Sequence, residues 1–529
     1  MGRKKEVVVR NGKYVGKYLD EQICKRLDTL INLNDRNGYI EDLKNIIYDL
    51  TPEEVELIKV SKANDFVDIK NSQGELTNLQ TIGVAYMYYA KRLVLGDSVG
   101  LGKTVEVAGL CNLLESDLAK SQQEFRFLFL TGKSYLAEIQ NKLIKFTGNY
   151  VEKVYGEKDK VKKFVDSNKE DIQFSVVGAH SLLKSVEFQE YFRFFLDSYG
   201  YNPFDILIID ESGDVLTNST TQYYKNALFF AGLFDRVILL NATPFEKDLR
   251  MFYNQIAYVD DSLLPTKTAF GKEYEIMSYT GAYPQFSGKY RNQDKFRNLV
   301  GYRYFARTRK GSGAEMKNCT ADVIVSSLTQ EQRELLKKTS MPYMVYECPS
   351  YFNMGIETNI QTTPKLATLL NLMNTKLAEA DSVLIYSRYK ESQRIIQEML
   401  VEYGFTAEVM NGETTVEERE AISNRFRLGD TQVLITNVQK GLDFDHCNNC
   451  VFYTYDPNPN KMVQLEGRTT RSFNIENKHI WAIVSRGDEL RNFKKVVAER
   501  AQASDAFAGS DFSCILSILL DEKKLKELK

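Results

Sequence analysis

The chain has 529 residues, 43% of them apolar and 26% charged, with a formal net charge of −2. That length exceeds what one core organises and calls for about three units of 100–200 residues, while the near-zero charge excludes a globally basic nucleic-acid binder and leaves room only for a local basic stripe in a cleft. No apolar run approaches the ~18 residues of a membrane span, the basic N-terminus lacks the apolar core of a secretory signal, and seven scattered cysteines fit a reducing compartment.

Residues 1–72 read as a helical accessory segment. Asp20 to Leu33 and Ile40 to Leu50 carry apolar residues at helical spacing, and Thr51-Pro52-Glu53-Glu54 is a helix start, with a cap, a first-position proline and acids in the first turn. No chemistry is visible there, and a small helical domain or a docking arm that could meet a protein partner is the expectation.

Residues 73–260 alternate strands and helices. Leu76 to Ala90 reads as a helix, and its Gln80 carries an amide able to read adenine through both its O and NH₂ groups. The apolar run Leu93 to Leu95 then enters Gly96 to Thr104, GDSVGLGKT, and Val105 to Leu114 reads as the next helix. A strand, a Gly-rich turn, Lys-Thr and a helix form the setting of a phosphate-binding loop, in which backbone amides and the helix N-terminus cradle phosphate oxygens. Lys103 would reach the β- and γ-phosphates of ATP, and the Thr104 hydroxyl would hold Mg²⁺. Asp97 stands where the general pattern has Gly.

Four more polar clusters end apolar strands. Phe125 to Leu130 runs into Thr131-Gly132-Lys133-Ser134, Phe174 to Val177 into Gly178-Ala179-His180-Ser181, Ile206 to Ile209 into Asp210-Glu211, and Arg236 to Leu240 into Asn241-Ala242-Thr243-Pro244. Alternation of this kind predicts a parallel sheet covered on both faces, with ligands at the carboxyl ends of the strands. Asp210 would bind Mg²⁺ and Glu211 would deprotonate the attacking water.

Residues 261–360 are less regular and read as a brace or insertion. Arg303, Arg307, Arg309 and Lys310 gather there, as a nucleic-acid-facing patch or as an interdomain brace. Residues 361–500 repeat the alternation, with strands at Val383 to Tyr386, Gln432 to Thr436 and Cys450 to Thr454 and a helix at Lys390 to Tyr403. Gln464-Leu465-Glu466-Gly467-Arg468-Thr469-Thr470-Arg471 places two arginines on one face of a helix, where both could reach one polyphosphate. His446-Cys447-Asn448-Asn449-Cys450 has no second cysteine pair at zinc-site spacing and reads as structural. Residues 501–529 form a helical tail, with Phe512 to Leu528 amphipathic and able to dock on the second lobe or on a partner.

With these clusters in order, residues 76 to 475 resemble the superfamily 2 helicases, and most of all the Swi/Snf family of ATP-driven DNA translocases. Asp97 to Thr104 is similar to that family's DExGLGKT. Thr131 to Ile144 resembles its strand-gripping segment, with Gly132 in place of Pro. Asp210-Glu211-Ser212-Gly213 and Leu216-Thr217-Asn218 resemble DEAH and LKN, and Leu240 to Pro244 resembles LTGTP. Phe305 to Arg309 resembles the arginine-rich brace, Leu384 to Arg388 the first strand of the second lobe, Thr436 to Asp443 motif V, and Gln464 to Arg471 motif VI. The departures are Ser98 for Glu, Gly213 for His, Asn241-Ala242 for Thr-Gly, and a Trp missing near Asp456-Pro457-Asn458-Pro459. The histidine couples hydrolysis to nucleic acid in the family, so coupling is where this chain differs.

The resemblance implies an α/β fold of two RecA-like lobes, each a parallel sheet with flanking helices, that close on ATP and Mg²⁺. The implied nucleotide residues are Gln80, Asp97, Gly100, Leu101, Gly102, Lys103, Thr104, Asp210 and Gln464, with Arg468 and Arg471 supplied by the second lobe. The implied nucleic-acid contacts are Lys133, Ser134, His180, Thr243 and Thr436. Translocation on double-stranded DNA is the first expectation. A strand-separating helicase and a non-hydrolysing scaffold are the alternatives. The expected setting is the cytoplasm of a bacterial or virus-infected cell, or a eukaryotic nucleus.

Overall fold

In the computed structural model the chain divides into two compact units, residues 1–314 with 509–511 and residues 315–508 with 512–529. The structure describes residues 8–35, 76–307, 319–347, 363–437, 444–455, 465–466, 477–497 and 522–528, apart from short internal breaks of which 243–248 and 279–284 are the longest. The stretch 261–360, expected as one brace, is shared between the two units.

The first unit is built on a seven-stranded sheet. Its strands lie in the order Tyr304–Phe305, Arg92–Leu95, Arg236–Leu240, Ile206–Ile209, Phe127–Thr131, Ser175–Ala179 and Val151–Val154, and every pairing is parallel. The central strands are unbroken aliphatic runs because both faces are covered; Ile206, Leu207, Ile208 and Ile209 are all fully buried. Two strands escape a reading by apolar runs. Val151–Val154 is a half-exposed edge, and Tyr304–Phe305 is two residues long.

Helix Asn78–Ala90 is buried on nearly all sides, which needs a cover beyond the sheet. Helix Glu21–Asp35 provides it. Cys24, Leu27 and Leu30 join the core of the first unit, Lys13 pairs with Asp28 at 2.6 Å, and the Tyr302 hydroxyl donates to Asp28 at 3.0 Å. The apolar face of this helix is therefore covered within the chain, each buried leucine contributing about 1.5–3 kcal/mol. The expected helices over Ile40 to Leu50 and from Thr51 lie outside the described residues.

The second unit holds a six-stranded sheet, also wholly parallel, in the order Cys319–Ser326, Lys478–Ser485, Asn449–Phe452, Val383–Tyr386, Val433–Thr436 and Ala407–Met410. Its helices start where the local chemistry dictates. Thr363 caps Pro364–Thr375, which has proline in its first turn, and a reciprocal Thr415–Glu418 capping box opens Val416–Leu428. Cys447 and Cys450 are both buried, and the Cys447 thiol faces the carbonyls of Asn449 and Ser382. Of the C-terminal tail, helix Glu522–Glu527 is described, and Leu525 and Leu528 pack on the core of the second unit. Among the described residues no helix is long and apolar enough to cross a membrane.

Candidate nucleotide-binding site

Strand Arg92–Leu95 delivers the chain into Gly96–Gly102, and helix Lys103–Ala119 carries it away. The turn needs left-handed backbone at Gly100 (φ +89°) and Gly102 (φ +91°). A Cβ at Gly102 would meet the Gln80 amide nitrogen at 2.5 Å, so Gln80 packs directly on the loop, and its Nε2 donates to the Leu101 carbonyl at 3.4 Å. The Lys103 ammonium donates to the carbonyls of Asp97 at 2.6 Å and Ser98 at 3.3 Å. Burial lowers its pKa, opposed by the surrounding carboxylates of Asp97, Glu211, Asp210 and Glu106. Thr104 follows as the second residue of the helix.

Asp210-Glu211 closes strand Ile206–Ile209 and is sewn to both neighbouring strands. The Asp210 amide donates to Leu130 O at 2.8 Å and the Ser212 amide to Leu240 O at 3.0 Å. Glu211 sits at φ +46°, left-handed for a non-glycine residue, at a cost of order 1–3 kcal/mol. The bonds around it hold the turn: the Glu211 amide donates to Asp210 Oδ1 at 3.0 Å and the Thr131 hydroxyl to Asp210 Oδ2 at 3.1 Å. His180 Nε2 lies 2.7 Å from the Asp210 carbonyl, which can only accept, so the ring proton sits on Nε2.

That contact corrects the expectation for His180. Its ring is 9% exposed and braces the Asp210 backbone instead of facing nucleic acid. Thr436 is corrected in the same sense: it ends its strand fully buried, with its carbonyl accepting from the Ser387 amide. Lys133 is exposed at the start of the 3₁₀ turn Lys133–Tyr135, which also contains Ser134. Thr243, Gln464, Arg468 and Arg471 lie outside the described residues.

Asp97 needs a further correction, because with Arg307 from the arginine patch and Glu106 it forms one buried cluster. The Arg307 Nε lies 3.1 and 3.0 Å from the two Asp97 oxygens, its Nη2 reaches Asp97 Oδ2 and Glu106 Oε1 (2.5 Å to the latter), and its Nη1 donates to Leu79 O. Arg307 is 3% exposed. The Asp97 carboxylate is thus committed to a guanidinium and is not turned to a nucleotide. Arg303 is fully buried, paired with Asp260 at 3.1 Å and donating to the carbonyls of Ala90 and Arg92. Both arginines are buried within the first unit, and Arg309 and Lys310 lie outside the described residues.

The two departures at Gly213 and Asn241 share one space. A Cβ at Gly213 would lie 2.8 Å from Asn241 Nδ2. That amide donates to Gln255 Oε1 at 2.9 Å, and the same oxygen accepts from the Ser212 hydroxyl at 2.9 Å. A side chain at 213 would have to push the Asn241 amide aside, and Gln255, on helix Leu249–Val259, ties the Asp210-Glu211 turn to the end of strand Arg236–Leu240. Gln255 belongs to no motif, so the sequence offered no signal for it.

The donor set fits ATP and Mg²⁺. Thr104 and Asp210 supply a hydroxyl and one carboxylate, the sparse oxygen set with which magnesium keeps several waters. Among the described residues no group of three His, Cys, Asp or Glu side chains forms a metal cage.

Two family models match the chain. Residues 79–389 match the model of the SNF2-related domain, and residues 364–473 match the helicase conserved C-terminal domain. The chain is 21% identical over 412 residues to chromodomain-helicase-DNA-binding protein 1-like of Danio rerio, covering 72% of this chain and 38% of that protein. It is 21% identical over 466 residues to the DNA repair and recombination protein RAD54B of Gallus gallus, covering 74% and 49%, so it spans half or less of these relatives' length. With the uncharacterized ATP-dependent helicase YqhH of Bacillus subtilis it shares 21% over 465 residues, covering 79% and 76%. The solved Sulfolobus solfataricus SWI2/SNF2 ATPase core in complex with dsDNA is 16% identical and covers 87% of this chain and 98% of its own, with a TM-score of 0.39. Matched to the SNF2-related model over more than half its length, and carrying that family's loop, acidic turn and two parallel sheets, the chain belongs to the SNF2-related family.

Proposed function

We propose that this chain is an ATP-hydrolysing motor that translocates on double-stranded DNA and remodels DNA or protein–DNA complexes. The observation that carries the reading is the placement of Lys103, Thr104, Asp210 and Glu211 beyond the carboxyl ends of two strands of the first unit's sheet, Arg92–Leu95 and Ile206–Ile209, with strand Arg236–Leu240 between them and the Lys103 ammonium in the field of both acidic residues. In this reading Gln80 and Gln464 contact the nucleotide, the Gly100–Gly102 amides and Lys103 bind its phosphates, and Glu211 accepts the proton of the attacking water. Thr104 and Asp210 would hold Mg²⁺, which neutralises phosphate charge when bound. Arg468 and Arg471 stabilise charge on the transferring phosphoryl group. Lys133, Ser134 and Thr243 contact the DNA backbone, so binding is insensitive to sequence and weakened by salt. Such a motor works where the cell keeps its DNA.

The test is ATP hydrolysis by the purified chain alone and with duplex DNA, single-stranded DNA or RNA. Stimulation by duplex DNA, without strand displacement on a forked substrate, supports the proposal; displacement turns it toward a strand-separating helicase, and no turnover with any of them toward a scaffold. Lys103→Ala and Glu211→Gln should each lower turnover at least ~100-fold while leaving DNA binding intact. Unchanged turnover in either variant removes that residue from the site.

A further inference from the structure

We infer that Arg307 is a positioning residue for the nucleotide loop: by gripping Asp97 it fixes the path of Gly96–Ser98 and, through the Asp97 carbonyl, the resting place of the Lys103 ammonium. The inference rests on the nucleotide-site reading above.

Three sets of contacts carry it. The first is backbone pairing. Strand Tyr304–Phe305 runs parallel to Val94–Leu95, and the pairing continues past the strand into the loop. The Gly96 amide donates to Phe305 O at 2.7 Å, the Ser98 amide to Arg307 O at 3.1 Å, and the Arg307 amide returns a bond to Asp97 Oδ1 at 2.9 Å. The first half of the loop is therefore an extension of the sheet edge, held by residues 305–307.

The second is the guanidinium itself. It joins the loop at Asp97, the following helix at Glu106 and the preceding helix at Leu79 O. A rigid planar fork of five N–H donors joins three elements in one fixed geometry, which the single nitrogen of a lysine does not reproduce. The surroundings are shaped to admit it, since a Cβ at Gly83 would lie 2.4 Å from Glu106 Oε2 and 2.8 Å from Arg307 Nη2.

The third is the double hold on Asp97, which is fully buried. Arg307 takes its carboxylate and Lys103 its carbonyl. Moving Arg307 moves the peptide against which Lys103 rests.

The experiment compares full-length wild type with Arg307→Lys and with Asp97→Asn. The second variant leaves Arg307 paired with Glu106 and no carboxylate stranded, so it guards against misfolding of the first. Fluorescent ADP binding, KM for ATP, kcat at saturating ATP and melting temperature are measured. Both variants should weaken ADP binding and raise KM by about tenfold, with kcat changed less than about threefold, because the contact shapes ground-state binding and not bond cleavage. A lower melting temperature with ADP affinity and KM unchanged in both variants would make Arg307 a purely structural arginine and overturn the inference. Lys103→Ala is run beside them. Unweakened ADP binding in that variant means the nucleotide-site reading itself has failed, whatever Arg307 does.

Discussion

Arg307 in the first unit lies between Asp97 and Glu106. In the second unit Lys365 lies between Glu489, at 2.6 Å, and Glu347, at 3.6 Å. Both clusters bury one cation with two carboxylates, and none of the six side chains is more than 3% exposed. They differ in what the carboxylates hold. In the second unit Glu347 accepts from the Thr454 and Ser392 hydroxyls, at 2.8 and 3.2 Å, and Glu489 accepts from the Ser485 amide at 2.7 Å. These contacts pin helix Pro364–Thr375 to the ends of two strands. In the first unit Asp97 accepts from the Arg307 amide at 2.9 Å, and the guanidinium joins the Gly96–Gly102 turn to the helices on either side of it. The same charge count thus serves packing in one place and the geometry of a binding loop in the other. The cations match this difference: a point charge serves where hydroxyls complete the network, and a fork serves where one side chain joins a carboxylate on the turn, a carboxylate on one helix and a carbonyl on another.

Breaking the second cluster should give the largest effect. Lys365→Met leaves two buried carboxylates without a cation and should destabilise the second unit by about 3–5 kcal/mol. The chain's single tryptophan, Trp481, lies in strand Lys478–Ser485 and reports that unit in urea titrations followed by fluorescence. ADP affinity of the folded protein should not change. Loss of affinity equal to that of the Arg307 variant would show that the two clusters do the same work.

A titration sharpens the comparison at somewhat smaller scale. Each cluster has one more carboxylate than cation, and burial raises the surplus acid: Glu106 upward in the first unit, Glu347 to about 7 in the second. A carboxyl raised from 4.5 makes the native state bind more protons than the unfolded state between the two values, so stability falls as pH rises through that window. For Glu347 the loss from pH 5 to pH 8 should be on the order of 3 kcal/mol. Glu347→Gln keeps an acceptor for both hydroxyls and removes the titration, so its urea midpoint read at Trp481 should vary less over the same range. His479, 3.9 Å from the Trp481 ring, titrates in both proteins and cancels in the difference. Equal pH slopes would mean that Glu347 is ionised throughout.

The contrast also shows what a sequence displays and what it conceals. Gly100, Gly102, Lys103 and Thr104 were legible because loop, strand and helix are adjacent in the chain, and Asp210-Glu211 because an aliphatic strand ends on it. The central strands announced themselves as unbroken apolar runs. Arg307 did not, since Asp97 lies 210 residues away and a cluster of arginines normally reads as surface. The inward turn of His180 and the burial of Thr436 are likewise matters of depth, which residue type does not encode. Strand Cys319–Ser326 was hidden by its mixed exposure, although it pairs over eight residues with Lys478–Ser485. Helix Glu21–Asp35 was visible as a helix, but nothing in its own residues says that helix Asn78–Ala90 is what covers its apolar face.

The smallest predicted effect concerns the neutral network beside the acidic turn, where no charge is exposed to loss. Gly213→Ala places a methyl 2.8 Å from Asn241 Nδ2. The amide must swing away, which breaks its bond to Gln255 and loosens the hold of that residue on Ser212. Overpacking of this kind costs about 1–3 kcal/mol. Since Ser212 directly follows Glu211, turnover with duplex DNA should fall by about tenfold, with ADP binding preserved because the Asp97–Arg307 contacts are untouched. Asn241→Ala in the same chain removes the obstructing amide and should restore part of the loss. The interaction energy from the double-mutant cycle should then be about 0.5–3 kcal/mol. Strict additivity would separate the two substitutions, whereas coupling would show that Gly213 and Asn241 stand in this chain as a matched pair, linking the acidic turn to the neighbouring strand without the histidine that the family places there.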